Sequence, residues 1–196
     1  MKYLSLLIMT SSLTMLPVAP HAGSPSLLED KDLQEETMQR SAGVNLSQQE
    51  QILSTQFDEL SNAFKKAVSY EDGEGVPQDY QKAVALYEEL AELGRPDAQY
   101  NLGVMYELGK GVPQDYSKAL HWYNKAAENG NVDAQFDLGF MYFDGEDILQ
   151  DYQKALYWWE KAAENGDAWA QFNLGLTYER GEGVPQDVKQ ALYRFQ

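Results

Sequence analysis

The hydrophobic and polar positions of this chain repeat every 36 residues over its last two thirds. The clearest marker is the block GVPQDY at 75–80 and 111–116, which returns as DILQDY at 147–152 and as GVPQDV at 183–188. No residue is inserted or lost between the copies. A fixed period of about 20–50 residues is typical of a solenoid, in which each unit buries its apolar face against its neighbours.

Each unit predicts a pair of helices, so the expected fold class is all-α, an α/α solenoid. The first helix of the pair, A, is predicted at 97–108, 133–144 and 169–180. The second helix, B, is predicted at 79–93, 115–129, 151–165 and from 187 onward. An aspartate stands at each expected N-cap of helix B, at Asp79, Asp115, Asp151 and Asp187. Glycine stands at the expected left-handed C-caps, at Gly94, Gly130 and Gly166.

The distribution of small and large residues predicts how the helices pack. Glycine recurs in the middle of helix A, at Gly103, Gly139 and Gly175, although it is less favourable there than alanine by about 1 kcal/mol. The recurrence predicts a close helix approach, with large residues of helix B opposite, namely Tyr87, Tyr123, Trp159 and Phe195. The tandem aromatics Trp122-Tyr123 and Trp158-Trp159 are therefore interpreted as core rather than as a ligand cage.

The solenoid is predicted to occupy residues 47–196. It comprises a degenerate first repeat at 62–97, full repeats at 98–133 and 134–169, and a truncated repeat at 170–196. A capping-box pattern at 47–50 predicts one long helix from about 48 to 71. Residues 23–46 are polar and weakly patterned, and are interpreted as a flexible lead-in. Because the last unit stops inside helix B, we expect the chain to be truncated after Gln196; a native short last helix is the alternative, and the sequence does not decide between them.

Residues 1–22 have the pattern of a cleaved signal peptide. Lys2 precedes an apolar run that extends to Val18, and Ala19 and Ala22 offer small residues for cleavage. An uncleaved anchor is the alternative, and no other apolar run is long enough to cross a bilayer. The leader predicts a periplasmic or secreted protein. The chain has no cysteine, which excludes disulfides and thiolate metal sites.

Charge and residue types argue against several functions. The net charge of −16 disfavours nucleic acid or anionic lipid as a partner, because both require a positive surface. His121 is the only histidine beyond the leader, too few for a histidine metal site or a Ser-His-Asp triad. No serine has a lysine three residues later, so the S-x-x-K nucleophile is missing. The acidic loop 144–147 fits a calcium loop poorly and is interpreted as a solvated turn. We therefore predict no enzyme, no metal and no cofactor.

The strongest copies of the repeat read A-x-x-x-L-G-x-x-Y-x-x-G-x-G-V-P-Q-D-Y-x-K-A-x-x-W-Y-x-K-A-A-E-N-G. This pattern resembles the Sel-one-like repeat (SLR), a relative of the tetratricopeptide repeat (TPR), over about 62–196. The resemblance implies a right-handed superhelix that acts as an adaptor and that in bacteria is often exported. A cysteine-rich secreted branch of the family has been linked to β-lactam binding or hydrolysis. This chain lacks those cysteines, so that activity is not carried over.

The resemblance also implies a binding surface, because in related superhelices the A helices line the concave face. Positions 0, 4, 7 and 11 of each A helix fall on one side of it. These twelve residues, here called the A-helix stripe, are Asp97, Asn101, Val104, Leu108, Asp133, Asp137, Phe140, Asp144, Trp169, Asn173, Leu176 and Arg180. An apolar centre with polar flanks suits an extended peptide or a helix laid across it.

Trp169 is the strongest single candidate for a residue that contacts a partner. It stands where the preceding units have Asp97 and Asp133, so repeat packing does not require an aromatic residue there. Exposed tryptophan is enriched among binding hot spots. The alternative is that the ring folds over an adjacent B helix.

These observations favour an exported, non-catalytic adaptor or scaffold that binds a protein or peptide on the concave face. Two alternatives stay open: an envelope enzyme of the β-lactam or cell-wall hydrolase type, and a structural envelope protein that contacts glycan through aromatic residues. The sequence leaves open the identity of the partner, the oligomeric state, the signal cleavage site and the total number of repeats.

Overall fold

The computed structural model describes the backbone of residues 29–145 and 148–195, and side chains from residue 45 onward within those ranges. These residues form eight helices and no strand. The helices are α1 (Glu29–Asp72), α2 (Tyr80–Glu92), α3 (Pro96–Leu108), α4 (Tyr116–Glu128), α5 (Val132–Asp144), α6 (Tyr152–Glu164), α7 (Ala168–Arg180) and α8 (Val188–Arg194). The predicted leader lies outside the described residues, as do Glu146 and Asp147 of the acidic loop.

The helix pairs form where the repeat predicts them. Helices α3, α5 and α7 are the A helices, and α2, α4, α6 and α8 are the B helices. The predicted N-caps are confirmed: Asp115, for example, accepts a hydrogen bond from the backbone N–H of Lys118 at 3.0 Å. The predicted C-cap glycines are also left-handed, as Gly130 shows with a φ of 90°. The Asp and Gly at fixed repeat positions thus set the length of every complete B helix.

The long first helix begins earlier than the sequence predicts. It starts at Glu29 rather than near residue 48, so the segment interpreted as a flexible lead-in is helical from Glu29 onward. Residues 29–47 contain no proline and include several Glu, Gln and Leu residues, which are favourable in helices. This part of α1 has no row of apolar residues at helical spacing, so the hydrophobic pattern did not predict it as a helix.

The described residues divide into two units between Ile52 and Leu53, and the repeat array belongs to the second. From α2 to α8, successive helices pack against one another. This nearest-neighbour packing is that of a solenoid. The predicted fold class, an all-α array of helix pairs, is confirmed.

The core between A and B helices combines glycine with an aromatic ring. A Cβ atom added to Gly103 would lie 2.8 Å from the ring of Tyr123, and Trp159 crowds Gly139 in the same way. Phe195 lies over Gly175. The predicted close approach at the mid-helix glycines is therefore confirmed. The tandem aromatics are core as predicted, since Trp122, Tyr123, Trp158 and Trp159 are all buried.

Buried amide side chains connect one pair to the next. Gln99 is 3% exposed and donates to the backbone carbonyl of Ala91 at 3.0 Å. Its Oε1 accepts from Nδ2 of Asn129 at 2.8 Å. The same contacts recur one unit later between Gln135 and Ala127, at 3.0 Å, and between Asn165 and Gln135, at 3.0 Å. Because buried polar groups are costly when unpaired, this ladder fixes the spacing between successive pairs.

Candidate functional site

The A-helix stripe is accessible along its whole length. Seven of its residues are exposed, namely Asp97, Leu108, Asp133, Phe140, Asp144, Trp169 and Arg180. The other five, Asn101, Val104, Asp137, Asn173 and Leu176, are half-buried, and none is fully buried. Core packing therefore leaves this side of the A helices free to contact another molecule.

The structure brings four of these residues together in one opening, here called the α5–α7 cleft. Phe140 of α5 and Asn173, Leu176 and Arg180 of α7 line it. Its other lining residues are Phe143, Trp159, Thr177 and Glu182, and its volume is about 150 Å³. Sequence spacing alone does not reveal this opening, because its lining comes from α5, α6, α7 and the residues that follow α7.

In the two earlier units, a polar pair occupies the position equivalent to the wall of this cleft. The Tyr87 hydroxyl donates to Oε2 of Glu71 at 2.8 Å, and the Tyr123 hydroxyl donates to Oε2 of Glu107. Burial and the neighbouring carboxylate both raise the pKa of the Tyr123 hydroxyl, which keeps it a hydrogen-bond donor. These units therefore place a carboxylate where the third unit does not.

The third unit changes both members of the pair. Phe143 stands in the place of Glu107, and Trp159 stands in the place of Tyr123. Their ring centroids are 5.2 Å apart, and Trp159 Nε1 donates to the backbone carbonyl of Phe136 at 3.2 Å. The indole N–H is paired and Trp159 is only 2% exposed, so Phe143 supplies the partly exposed aromatic surface at the position where the earlier units have glutamate.

Arg180 and Glu182 form the polar rim of the cleft. Nη1 of Arg180 lies 3.8 Å from Oε1 of Glu182, and the two side chains are 59% and 37% exposed. Ion pairs of this kind at the surface contribute little to stability. Either group is therefore available to pair with a partner instead.

Asp137 forms the half-buried centre of an acidic row along the stripe. The Tyr100 hydroxyl of α3 donates to Oδ2 of Asp137 of α5 at 2.9 Å, which joins successive A helices. Burial raises the pKa of Asp137 to about 6, and the hydrogen bond from Tyr100 opposes that rise. The nearby carboxylates of Glu107, Asp133 and Asp167 also contribute to this raised pKa. The charge on this part of the stripe therefore changes near neutral pH.

Trp169 is 69% exposed at the start of α7. Its ring lies beside that of Phe172, with ring centroids 6.4 Å apart and the two planes nearly perpendicular. Phe172 is itself 46% exposed. So high an exposure excludes the alternative that Trp169 is buried over an adjacent B helix, and it leaves the indole as a surface group.

The part of the chain described by the structure contains no cluster of His, Cys, Asp and Glu suited to hold a metal ion. His121 lies exposed on α4, beside the Trp122 ring at a centroid distance of 5.2 Å. Within the same residues, no helix combines the length and the apolar character that a membrane span requires.

Four lining residues of the cleft were missed by sequence reasoning: Phe143, Trp159, Thr177 and Glu182. Helical offsets selected only the side of helix A that repeats in every unit. A usable signal was present, because the position of Phe143 holds glutamate in the other three units, at Glu71, Glu107 and Glu179. Phe143 is thus the one non-glutamate residue at this repeat position, and this difference pointed to the cleft.

Comparison with known proteins agrees with this architecture. The Sel1 repeat family model matches residues 64–94, 96–131, 132–167 and 170–193. A Sel1 repeat protein from Oxalobacter formigenes, known from its crystal structure, is 36% identical with a TM-score of 0.65, over 69% of this chain and 55% of that one. A protective antigen of uropathogenic Escherichia coli strains with an SLR fold is 38% identical with a TM-score of 0.65, over 71% of this chain and 31% of that one.

The chain thus spans about half the length of the Oxalobacter protein and about a third of the length of the Escherichia coli antigen. Among curated proteins, none shows significant similarity to it. The family model covers more than half of the chain, and its matched segments follow the helix pairs of the structure. The SLR resemblance is therefore confirmed, and the chain belongs to the Sel1 repeat family.

Proposed function

We propose that this protein is a non-catalytic adaptor that binds a protein or peptide through the A-helix stripe. The observation that carries the proposal is the exposure of large apolar groups on that stripe: Leu108 is 55%, Phe140 53% and Trp169 69% exposed. Isolated exposed apolar residues are common, but a row of them on one side of a repeat array is typical of an interaction surface. Sel1 repeats commonly mediate protein–protein interaction, which supports the same reading.

The test compares stripe variants with a variant of equal exposure elsewhere. Trp169→Ala and Phe140→Ala are expected to abolish capture of the partner by the immobilised protein. Tyr193→Ala on α8 is the control, because Tyr193 is also 69% exposed but lies on a B helix. If both stripe variants captured the same proteins as the unchanged chain, binding through this stripe would be ruled out.

We further propose that the adaptor is exported and acts in the periplasm or outside the cell. Residues 1–22 support this through their leader pattern. The description of the Escherichia coli relative as a protective antigen is in keeping with exposure at the cell surface. Fractionation of cells, followed by N-terminal sequencing of the mature protein, is expected to find it outside the cytoplasm with the leader removed. Recovery in the cytoplasm with an intact N-terminus would contradict this.

The enzyme alternative is tested directly by its chemistry. The purified protein is expected not to hydrolyse the chromogenic β-lactam nitrocefin. Turnover above that of a heat-denatured sample would instead favour an envelope hydrolase and overturn the adaptor proposal.

A second candidate function is contact with cell-wall glycan, and the exposed Trp169–Phe172 pair favours it, since aromatic faces stack on sugar rings. Co-sedimentation with insoluble glycan that is lost on Trp169→Ala, and retained on Tyr193→Ala, would support this function. No co-sedimentation with the unchanged chain would remove it.

A further inference from the structure

The α5–α7 cleft has the size of one side chain. Its volume of about 150 Å³ lies below the roughly 300–1,000 Å³ of pockets that enclose small-molecule ligands. Its walls are formed mainly by Phe140, Phe143, Trp159 and Leu176. A small, open and apolar cleft of this kind fits the anchoring residue of a protein segment better than a whole cofactor or substrate.

The charges around the cleft are unequal. Arg180 is the only basic residue of the stripe, whereas Asp97, Asp133, Asp137 and Asp144 are acidic. Asp137 and Asp144 lie three and four residues from Phe140, so they share its side of α5 on either side of the cleft wall. An apolar pocket with carboxylates along one side is complementary to an apolar residue with basic neighbours.

The same charges argue against a second copy of this chain as the occupant. The chain has a net charge of −16, so two copies repel each other as they approach. They also argue against an acidic partner segment, which would face three exposed aspartates of the stripe, Asp97, Asp133 and Asp144.

We propose that the α5–α7 cleft binds one large apolar side chain of a basic protein segment, whose lysines or arginines lie along the acidic row of the stripe. This inference rests on the proposed adaptor function and specifies its partner. The apolar residue provides the anchor, and the basic residues provide orientation and a faster encounter.

The experiment selects ligands without assuming a partner. A random library of 12-residue peptides is panned against the full chain at low salt. The selected peptides are expected to be enriched in lysine and arginine and to share one large apolar residue. Replacing that residue by alanine in a synthetic peptide is expected to weaken binding at least tenfold, a change that leaves the protein itself untouched.

Matched variants of the protein then locate the binding. Phe140→Ala is expected to weaken the selected peptide at least tenfold, whereas Tyr157→Ala on α6 is not, although these residues are 53% and 52% exposed. The triple variant Asp97→Asn/Asp133→Asn/Asp144→Asn is expected to reduce both affinity and its dependence on salt. Glu89→Gln/Glu92→Gln/Glu128→Gln removes the same charge from exposed B-helix positions and is expected to change affinity less than twofold.

The outcomes separate this inference from the adaptor proposal. Peptides that bind the stripe and lose binding on Trp169→Ala, yet lack basic residues or ignore Phe140→Ala, would overturn the inference and leave the adaptor proposal standing. Selection of no peptide at all, together with unchanged capture by the stripe variants, would overturn both.

Discussion

At the scale of single residues, one repeat position distinguishes the lining of the α5–α7 cleft from the equivalent places in the first two units. Glutamate at this position accepts a hydrogen bond from tyrosine in the first two units, at Glu71 and Glu107. Phe143 replaces it in the third unit and packs against Trp159 instead. A paired change from Glu and Tyr to Phe and Trp keeps the core filled and removes a charge from the surface above it.

The half-buried carboxylate of Asp137 is predicted to make stability depend on pH. Its pKa of about 6 in the folded chain is raised above the ordinary value of 3.8, so ionisation is less favourable in the folded than in the unfolded state. The resulting penalty is absent below about pH 4, grows as pH rises through 6, and is complete above it. Asp137→Asn is therefore expected to stabilise the protein at pH 7.5 by at most about 3 kcal/mol, and not at pH 4.

Urea denaturation at both pH values measures this effect. Asp133→Asn is the control, because it removes the same charge from an exposed side chain nearby. The same gain from Asp137→Asn at pH 4 as at pH 7.5 would show that burial of the charge is not its cause.

Gly103 is predicted to resist even the smallest substitution. Alanine is favoured over glycine in a helix by about 1 kcal/mol, but its Cβ at this position would lie 2.8 Å from the Tyr123 ring. Gly103→Ala is therefore expected to destabilise the protein by about 1–3 kcal/mol. In a Tyr123→Ala background the clash is gone, and the same substitution is expected to become stabilising by up to about 1 kcal/mol.

Thermal or chemical unfolding of the four proteins in this cycle measures the sign change. Ser117→Ala, at an exposed position of α4, serves as the control and is expected to stay within about 0.5 kcal/mol. If Gly103→Ala cost as much in the Tyr123→Ala background, the ring would not be the reason for the glycine.

At the scale of elements, the helix pairs are held in register by buried amides as well as by apolar packing. Gln99 joins α3 to the carbonyl of Ala91 in α2 and to Asn129 at the end of α4. Apolar contacts tolerate sliding of one helix along another, whereas a buried hydrogen bond is satisfied at only one spacing. The amide ladder thus explains how neighbouring pairs keep the same geometry while their surfaces diverge.

Removal of this amide contact is predicted to show strong coupling. Gln99→Ala is expected to cost about 1–3 kcal/mol, because it removes the buried hydrogen bond to the carbonyl of Ala91 and takes away the acceptor of the Asn129 side-chain amide. A double-mutant cycle with Asn129→Ala is expected to give a coupling energy of about 0.5–3 kcal/mol. The exposed bond between Gln114 and the Tyr116 hydroxyl, at 2.9 Å, provides the control cycle.

Chemical denaturation of the single and double variants gives both coupling energies. The control cycle is expected to fall below about 0.5 kcal/mol, since an exposed bond is replaced by bonds to water. Equal coupling in the two cycles would mean that burial does not strengthen the Gln99–Asn129 contact.

At the scale of the whole molecule, the net charge of −16 opposes compact structure through repulsion between carboxylates. Ion pairs offset this only weakly, because those such as Lys161–Glu164, at 3.3 Å, lie at the surface. Most of the excess negative charge is therefore not neutralised within the chain.

Salt is predicted to stabilise the protein. Raising ionic strength from 0.01 to 0.15 M shortens the screening length from about 30 to about 8 Å and weakens repulsion between carboxylates. The melting temperature is expected to rise by about 2–4 °C, which corresponds to about 1 kcal/mol for a chain of this size. Calorimetry in sodium chloride and in choline chloride measures it, and the two salts are expected to act alike. A fall in melting temperature, or an effect of sodium alone, would contradict a screening mechanism.

The periodic part of the chain could be predicted closely from the sequence. The B helices begin at Tyr80, Tyr116 and Tyr152, directly after the aspartates expected to cap them. Helix caps, turns and the glycine–aromatic contacts depend on residues within one repeat unit and recur in each unit. The pattern in one unit therefore supports the prediction made for the next. The start of α1 at Glu29 could not be predicted in this way, because that segment has no repeat and no apolar face.

The sequence by itself determined the family, the helix pairs, the acidic character and which residues share one side of each A helix. These follow from spacing, capping and composition, which need no knowledge of neighbouring units. Only the tertiary structure showed that Phe140 of α5 and Leu176 of α7 meet Phe143 and Trp159 in one cleft, and that Tyr100 reaches Asp137. Such contacts depend on how successive pairs stack, and stacking is set by the summed packing of whole helices rather than by any local pattern.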